Sequence, residues 1–246
     1  MILLTIIVIV SYVLLHTFEI ASFGARVAGR LTNRSALGTS LSQTVYMTAD
    51  FFIIFFLPTL GYIVESGITI HDYLTLVLIA YSLTFLVSIL ILIKLNGLQH
   101  FYQVVFIKYT DNTIPIAILK SLVSKKTDLN LKDCERFTFD KIIIKKSLVS
   151  FLAYIFLITG FFNAFMLAVL FPENRLTLSQ LTAAFHGFGG VILSFYLDPM
   201  LSRSIDTYSD NSTWLKNVYS ILFGRILSYL AIIIALLIFL YFLKSL

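Results

Sequence analysis

His16-Thr17-Phe18-Glu19-Ile20-Ala21-Ser22-Phe23-Gly24-Ala25-Arg26-Val27-Ala28-Gly29 closes the first apolar run of the chain. At 100° per residue, His16, Glu19, Phe23, Arg26 and Arg30 fall within one arc of about 80°. The opposite face carries Ala21, Ala25 and Ala28. The stretch therefore reads as a helix with a polar stripe aimed at something wet. Its smooth side admits a neighbouring backbone. For Arg30 and Arg34 an ordinary interfacial helix end is the preferred account. Glu19 lies inside the apolar span, where ionisable groups are paired or functional.

The rest of the chain agrees with a membrane setting. Of its 246 residues, 59% are hydrophobic and 13% charged, and the mean hydropathy is +0.93. A soluble domain carries about 25% charged residues, so the chain is expected to be an all-α polytopic membrane protein with one transmembrane domain over 1–246. The lone cysteine, Cys134, excludes an internal disulfide and any cysteine-based metal cluster. The first ten residues hold no Lys or Arg, so the first helix is expected to be retained rather than cleaved as a signal peptide. The pI near 9.2 reflects basic residues flanking apolar helices and does not point to nucleic acid.

Six spans are expected, at residues 2–29, 35–62, 73–95, 142–171, 176–201 and 214–243, grouping as helices 1–3 (1–95) and 4–6 (142–246). The first, about 42 Å long at 1.5 Å per residue, exceeds a hydrocarbon core of about 30 Å, so its charged end projects or the helix tilts. Pro58 is expected to kink the last turns of the second span. The third, without charge before Lys94, reads as a lipid-facing scaffold. Between the halves, 96–141 is a long polar loop with two apolar pieces, 98–107 and 114–123, too short to span and read as amphipathic or re-entrant helices. In the fifth span Ala183, Gly187, Gly190 and Ser194 form a small-residue stripe expected to pack closely. In the sixth, Ser220, Gly224 and Ser228 share a face.

Of the 18 Lys and Arg, fifteen fall on one side of this arrangement: Arg26, Arg30, Arg34, Lys94, Lys108, Lys120, Lys125, Lys126, Lys132, Arg136, Lys141, Lys145, Lys146, Arg203 and Lys216. Arg175 and Lys244 fall on the other, and Arg225 lies within a span. The positive-inside rule makes the long loop cytoplasmic and puts both termini outside. Three helices on each side of it would also permit a 3+3 inverted repeat. The sequons at Asn33 and Asn211 then lie in cytoplasmic loops and carry no meaning.

On this topology Glu19, Asp198 and Arg225 share the inner half of the membrane, with Arg26 at its mouth. Asp50 and His186 lie nearer the midplane. Charges at that depth are tolerated when paired or facing water, so the simplest arrangement is one hydrated, inward-open cavity lined by helices 1, 2, 5 and 6. Arginine forks suit a phosphate ligand. Glu19 with Arg26, and Asp198 with Arg225, are the expected pairs, and plain helix-tying ion pairs are the competing account. The candidate substrate-binding set is Arg26, Arg30, Arg225, Glu19, Asp198 and His16. Asp50 is the candidate for proton coupling, and His186 reads first as a helix-contact histidine. No H-E-x-x-H, G-x-S-x-G or P-loop is present. The scattered histidines argue against a metal site, and nothing implies a cofactor or sets an oligomeric state.

His16-Thr17, Glu19, Arg26 and Ala28-Gly29 also resemble the N-terminal signature of the Amj family, the alternate lipid II flippases of bacteria. Leu197-Asp198-Pro199, Leu201-Ser202, Asp206 and Gly224-Arg225 resemble its pattern near the C-terminus. The chain departs from the family pattern at Thr48-Ala49-Asp50, where an arginine and an asparagine are expected. The resemblance implies a multi-pass protein of the bacterial cytoplasmic membrane. It would be a transporter rather than an enzyme, moving an undecaprenyl-pyrophosphate-linked peptidoglycan precursor to the outer leaflet. Its partners would be that polyprenyl-pyrophosphate lipid and the surrounding membrane lipids. A translocase of undecaprenyl phosphate or of another polyprenyl-glycan, an intramembrane lipid-phosphate enzyme and a non-transporting assembly partner are the alternatives.

Overall fold

The computed structural model describes residues 1–123, 131–133 and 136–245. Lys125, Lys126, Cys134 and Leu246, which entered the topology and cysteine arguments, lie outside them. Among the described residues all regular structure is helical: α1 (Ile2–Leu31), α2 (Ser35–Ala49), α3 (Ile53–Glu65), α4 (Ile70–Ile93), α5 (Leu95–Tyr109), α6 (Ile114–Val123), α7 (Ile144–Leu170), α8 (Arg175–Ser179), α9 (Leu181–Ile192), α10 (Asp198–Thr207) and α11 (Asn211–Ser245). Six runs are long and apolar enough to cross a membrane: α1, α2–α3, α4, α7, 172–207 and α11. The two short apolar pieces of the central region form α5 and α6.

Local chemistry sets several boundaries. Asn33, with φ of 57°, turns the chain between α1 and α2, in a conformation that asparagine tolerates better than most residues. Thr69 caps α4, its hydroxyl accepting from the Asp72 amide at 3.1 Å. Asp210 caps α11 by accepting from the Ser212 and Thr213 amides. Those backbone donors hold its carboxyl below the usual carboxylate range. In the second span a 3-10 segment at Asp50–Phe52 separates α2 from α3, and Pro58 lies within α3. A proline ring crowds the carbonyl four residues back. For Pro199 that carbonyl belongs to Phe195. The fifth span widens into a π-turn at Leu193–Leu197 and then continues to Thr207, well past the expected end.

The core is aromatic. Tyr12, Phe56, Tyr81 and Phe162 meet at ring-centroid distances of 4.8 to 5.6 Å. Tyr12 donates to the Ile158 carbonyl at 3.0 Å and Tyr73 to the Phe162 carbonyl at 2.6 Å. These bonds tie α1 and α4 to α7 where apolar surface alone gives no preference for protein over lipid. The third span keeps the expected lipid-facing side in exposed Ile79, Leu83, Leu86 and Leu90, and adds a buried face. Tyr73, Tyr81, Thr84 and Ser88 are buried and share an arc of about 80°, so α4 also packs between α1 and α11.

Small residues behave in two ways. Ala25, Ala28 and Gly29 of α1 do accept a neighbour: a Cβ on Gly29 would lie 2.6 Å from the Gly38 Cα of α2. The stripe of the fifth span does not pack as expected. Gly187 and Gly190 face open space, and the glycine that meets α7 is Gly189, whose added Cβ would lie 2.8 Å from the Leu157 nitrogen. α9 is thus rotated so that its small-residue face stays unfilled. On α11, Ser220, Gly224 and Ser228 share a face as expected, and that face lies against α7. The Ser220 hydroxyl accepts from the Ile143 amide at 2.8 Å, and the Ser228 hydroxyl donates to the Phe151 carbonyl at 2.9 Å.

Candidate functional site

α2 packs on α1, and α9 packs on α7. Between these two pairs lies a cavity of about 850 Å³. Its walls come from α1 (Ser22, Phe23, Arg26), α2 (residues from Ser40 to Thr48), α7 (Tyr154), the 190–201 arm and Ile221 of α11. The fourth span was missing from the expected lining and contributes Tyr154. Gln43, Thr44, Met47, Thr48 and Ser194 are exposed on the walls, so the space opens sideways between α2 and the π-turn.

The charged residues sort into two levels, and the pairing differs from the expected one. Arg26 Nη2 donates to Asp198 Oδ1 at 2.8 Å on the cavity wall, with side chains 14% and 41% exposed. Arg225 Nη2 donates to Glu19 Oε2 at 2.5 Å, and here both side chains are buried. The partners are exchanged because Glu19 and Arg26 sit seven residues apart on one helix, about 10 Å along its axis. Each reaches more easily across to a different span.

The deeper pair is a triad. His16 Nδ1 lies 2.7 Å from Glu19 Oε2 and 3.0 Å from Arg225 Nη2. His16 and Glu19 are therefore sealed inside rather than aimed at water. Arg225 Nε and Nη1 find no hydrogen-bond partner among the described residues. Its guanidinium instead stacks 4.6 Å over the Tyr154 ring, a favourable cation–π geometry. Since Tyr154 also lines the cavity, one aromatic ring separates the buried arginine from the open space.

The remaining candidates stand elsewhere. Arg30 donates from Nε to Asn211 Oδ1 and from Nη1 to the Ile205 carbonyl, both at 2.9 Å, and from Nη2 to the Tyr208 carbonyl. It clamps the α10–α11 connection to α1. His186 stacks on Phe161 at 4.8 Å, a helix-contact position. Asp50 is exposed at the 3-10 turn and does not line the cavity. No cluster of three His, Cys, Asp or Glu able to hold a metal occurs among the described residues. The polar wall of α2 was legible but not read: Ser40, Gln43, Thr44, Met47 and Thr48 follow i, i+3, i+4 spacing. Tyr154 had no such signal.

Both levels draw on the two sequence blocks, 16–29 and 197–225. The model of the Amj family (Alternate to MurJ) matches residues 12–241, enclosing both blocks and every wall of the cavity. The chain belongs to the Amj family. No curated protein and no solved structure matches it. In this Amj protein Thr48, the first residue of the departure from the family pattern, stands on the cavity wall, whereas Asp50 does not line it.

Proposed function

We propose that the protein is a lipid II flippase, moving the undecaprenyl-pyrophosphate-linked peptidoglycan precursor from the inner to the outer leaflet of the bacterial cytoplasmic membrane. The family supports this reading, since its description sets its members as alternates to MurJ. The observation that carries it is the Arg26–Asp198 pair on a cavity that opens sideways. A paired arginine is a stored anion site: an arriving pyrophosphate replaces the half-exposed Asp198 carboxylate and gains a bidentate fork. Hydroxyls and the amide of Ser40, Gln43, Thr44 and Thr48 offer hydrogen bonds to the sugar beside it. The cavity has the size of a ligand site. The polyprenyl tail remains in lipid, leaving through the gap between α2 and the π-turn. Arg225, behind Tyr154 with Nε and Nη1 unpartnered among the described residues, is the second phosphate ligand once that ring moves. Asp50 is the candidate coupling group. The distribution of basic residues supports a cytoplasmic mouth and external termini.

The test is reconstitution in liposomes with labelled lipid II. The wild type is expected to equilibrate the label between leaflets, with its mass unchanged. Arg26→Gln is expected to slow this at least about tenfold, the equivalent of about 1.4 kcal/mol of lost interaction. An unchanged leaflet distribution with the wild type overturns the reading. A changed lipid mass turns it into enzyme chemistry, and transfer of undecaprenyl phosphate alone reassigns the substrate.

A further inference from the structure

A second cavity, of about 400 Å³, is lined by Lys146, Pro199, Met200, Arg203, Ser204, Thr207 and Tyr208. At 100° per residue Asp198 and Leu201 fall on one face of α10, and Pro199, Met200, Arg203 and Thr207 on the opposite one. α10 is therefore a partition, with the substrate cavity on one side and this smaller space on the other. Two cations from different helices line it, and no acid does among the described residues. Arg203 makes no ion pair among the described residues. Lys146 Nζ donates to Asn217 Oδ1 at 2.5 Å, which leaves two of its three N–H groups for another acceptor. Lys146 sits in the first turn of α7 and Arg203 in the second half of α10, so both stand toward the ends of their spans.

We propose that this cavity binds the phosphate of an anionic phospholipid headgroup from the surrounding leaflet, independently of whatever the larger cavity transports. A phosphodiester fits a site that joins an arginine fork and an ammonium to the Tyr208 hydroxyl, while the Ser204 and Thr207 hydroxyls donate within α10. Pro199 and Met200 give the glycerol and upper acyl chains an apolar rest. Basic pockets between membrane helices are suited to such headgroups. Occupancy bridges α10 to α7 and so holds the face bearing Asp198 against Arg26. The lipid adds a brace to an arm already packed on α7 through α9 and tied to α1 by Arg26 and Arg30.

The purified full-length protein, in neutral phosphatidylcholine–detergent micelles, is titrated with phosphatidylglycerol and separately with inorganic phosphate, reading thermal stability. Phosphatidylglycerol is expected to raise the melting temperature. Arg203→Gln is expected to move the titration midpoint about fivefold higher, from the loss of one interfacial cation. Lys146→Gln with Arg203→Gln should abolish the response. Thr207→Phe, which keeps both charges but fills the space, should abolish it too and remains informative if the double variant does not fold. Arg26→Gln, in the other cavity, should respond like the wild type. Stabilisation by inorganic phosphate to the same extent keeps the anion site and makes its ligand soluble. No stabilisation of the wild type, or an undiminished response in Thr207→Phe, overturns the proposal.

Discussion

Glu19 and Arg225 are costly to remove, because each loses its ion partner in the buried interior, where Glu19 would keep only His16. Glu19→Gln and Arg225→Gln are each expected to destabilise the protein by about 3–5 kcal/mol. The double variant should be markedly milder than either single one, and unfolding titrations in mixed micelles give all three values. If Arg225 is also a phosphate ligand, that double variant folds and transports poorly. Full activity would leave only a structural pair. Arg26 differs, since its partner Asp198 is half exposed and solvent or lipid headgroups can take the carboxylate's place. Arg26→Lys should fold normally yet slow transport about tenfold, because an ammonium cannot reproduce the planar fork. At this scale the sequence was legible in kind and not in pairing. The charged set was visible as residues out of place in apolar runs. Which acid meets which base depends on helix rotation and on the π-turn ahead of Asp198, and neither is encoded in spacing along one helix.

Among the elements, the 172–207 arm is the least buried of the spans. Its rotation leaves Gly187 and Gly190 over open space and puts Gly189 against α7. Gly189→Ala should therefore destabilise by about 1–3 kcal/mol through overpacking. Gly187→Ala should be neutral or stabilising by about 0.5–1 kcal/mol through helix propensity alone. The opposite ranking in thermal unfolding would show the helix turned the other way. The α11 cap carries a pH dependence. The folded-state carboxyl of Asp210 is depressed by the amides it accepts from, so its contribution is complete above the unfolded value and is lost as pH falls through the folded one. Amide protection factors in the first turn of α11 should fall over that acid range in the wild type. In Asp210→Ala they should be low throughout, with no step across it. Span boundaries were readable to within a few residues from hydropathy and capping residues. The small-residue stripe was readable as a pattern, but its partner was not, because a smooth face and an empty face look alike in one sequence.

For the whole molecule, the same arrangement that buries the triad leaves a lipid-facing opening between α2 and the π-turn. Orientation follows from the basic residues: a cysteine at Asp111, in a Cys134→Ser background, should resist an impermeant thiol reagent in intact cells and react once the membrane is opened. Labelling in intact cells would invert the cavity and move its mouth to the outer surface. The central claim is that lipid passes through the gap walled by Thr44 and Ser194. Its most direct test places cysteines at Thr44 and Ser194 of the Cys134→Ser protein, joins them with a reducible bifunctional thiol linker, and follows lipid II in liposomes. The bridged protein should flip at the protein-free rate and recover on reduction, whereas full-rate flipping with the bridge in place would contradict the account.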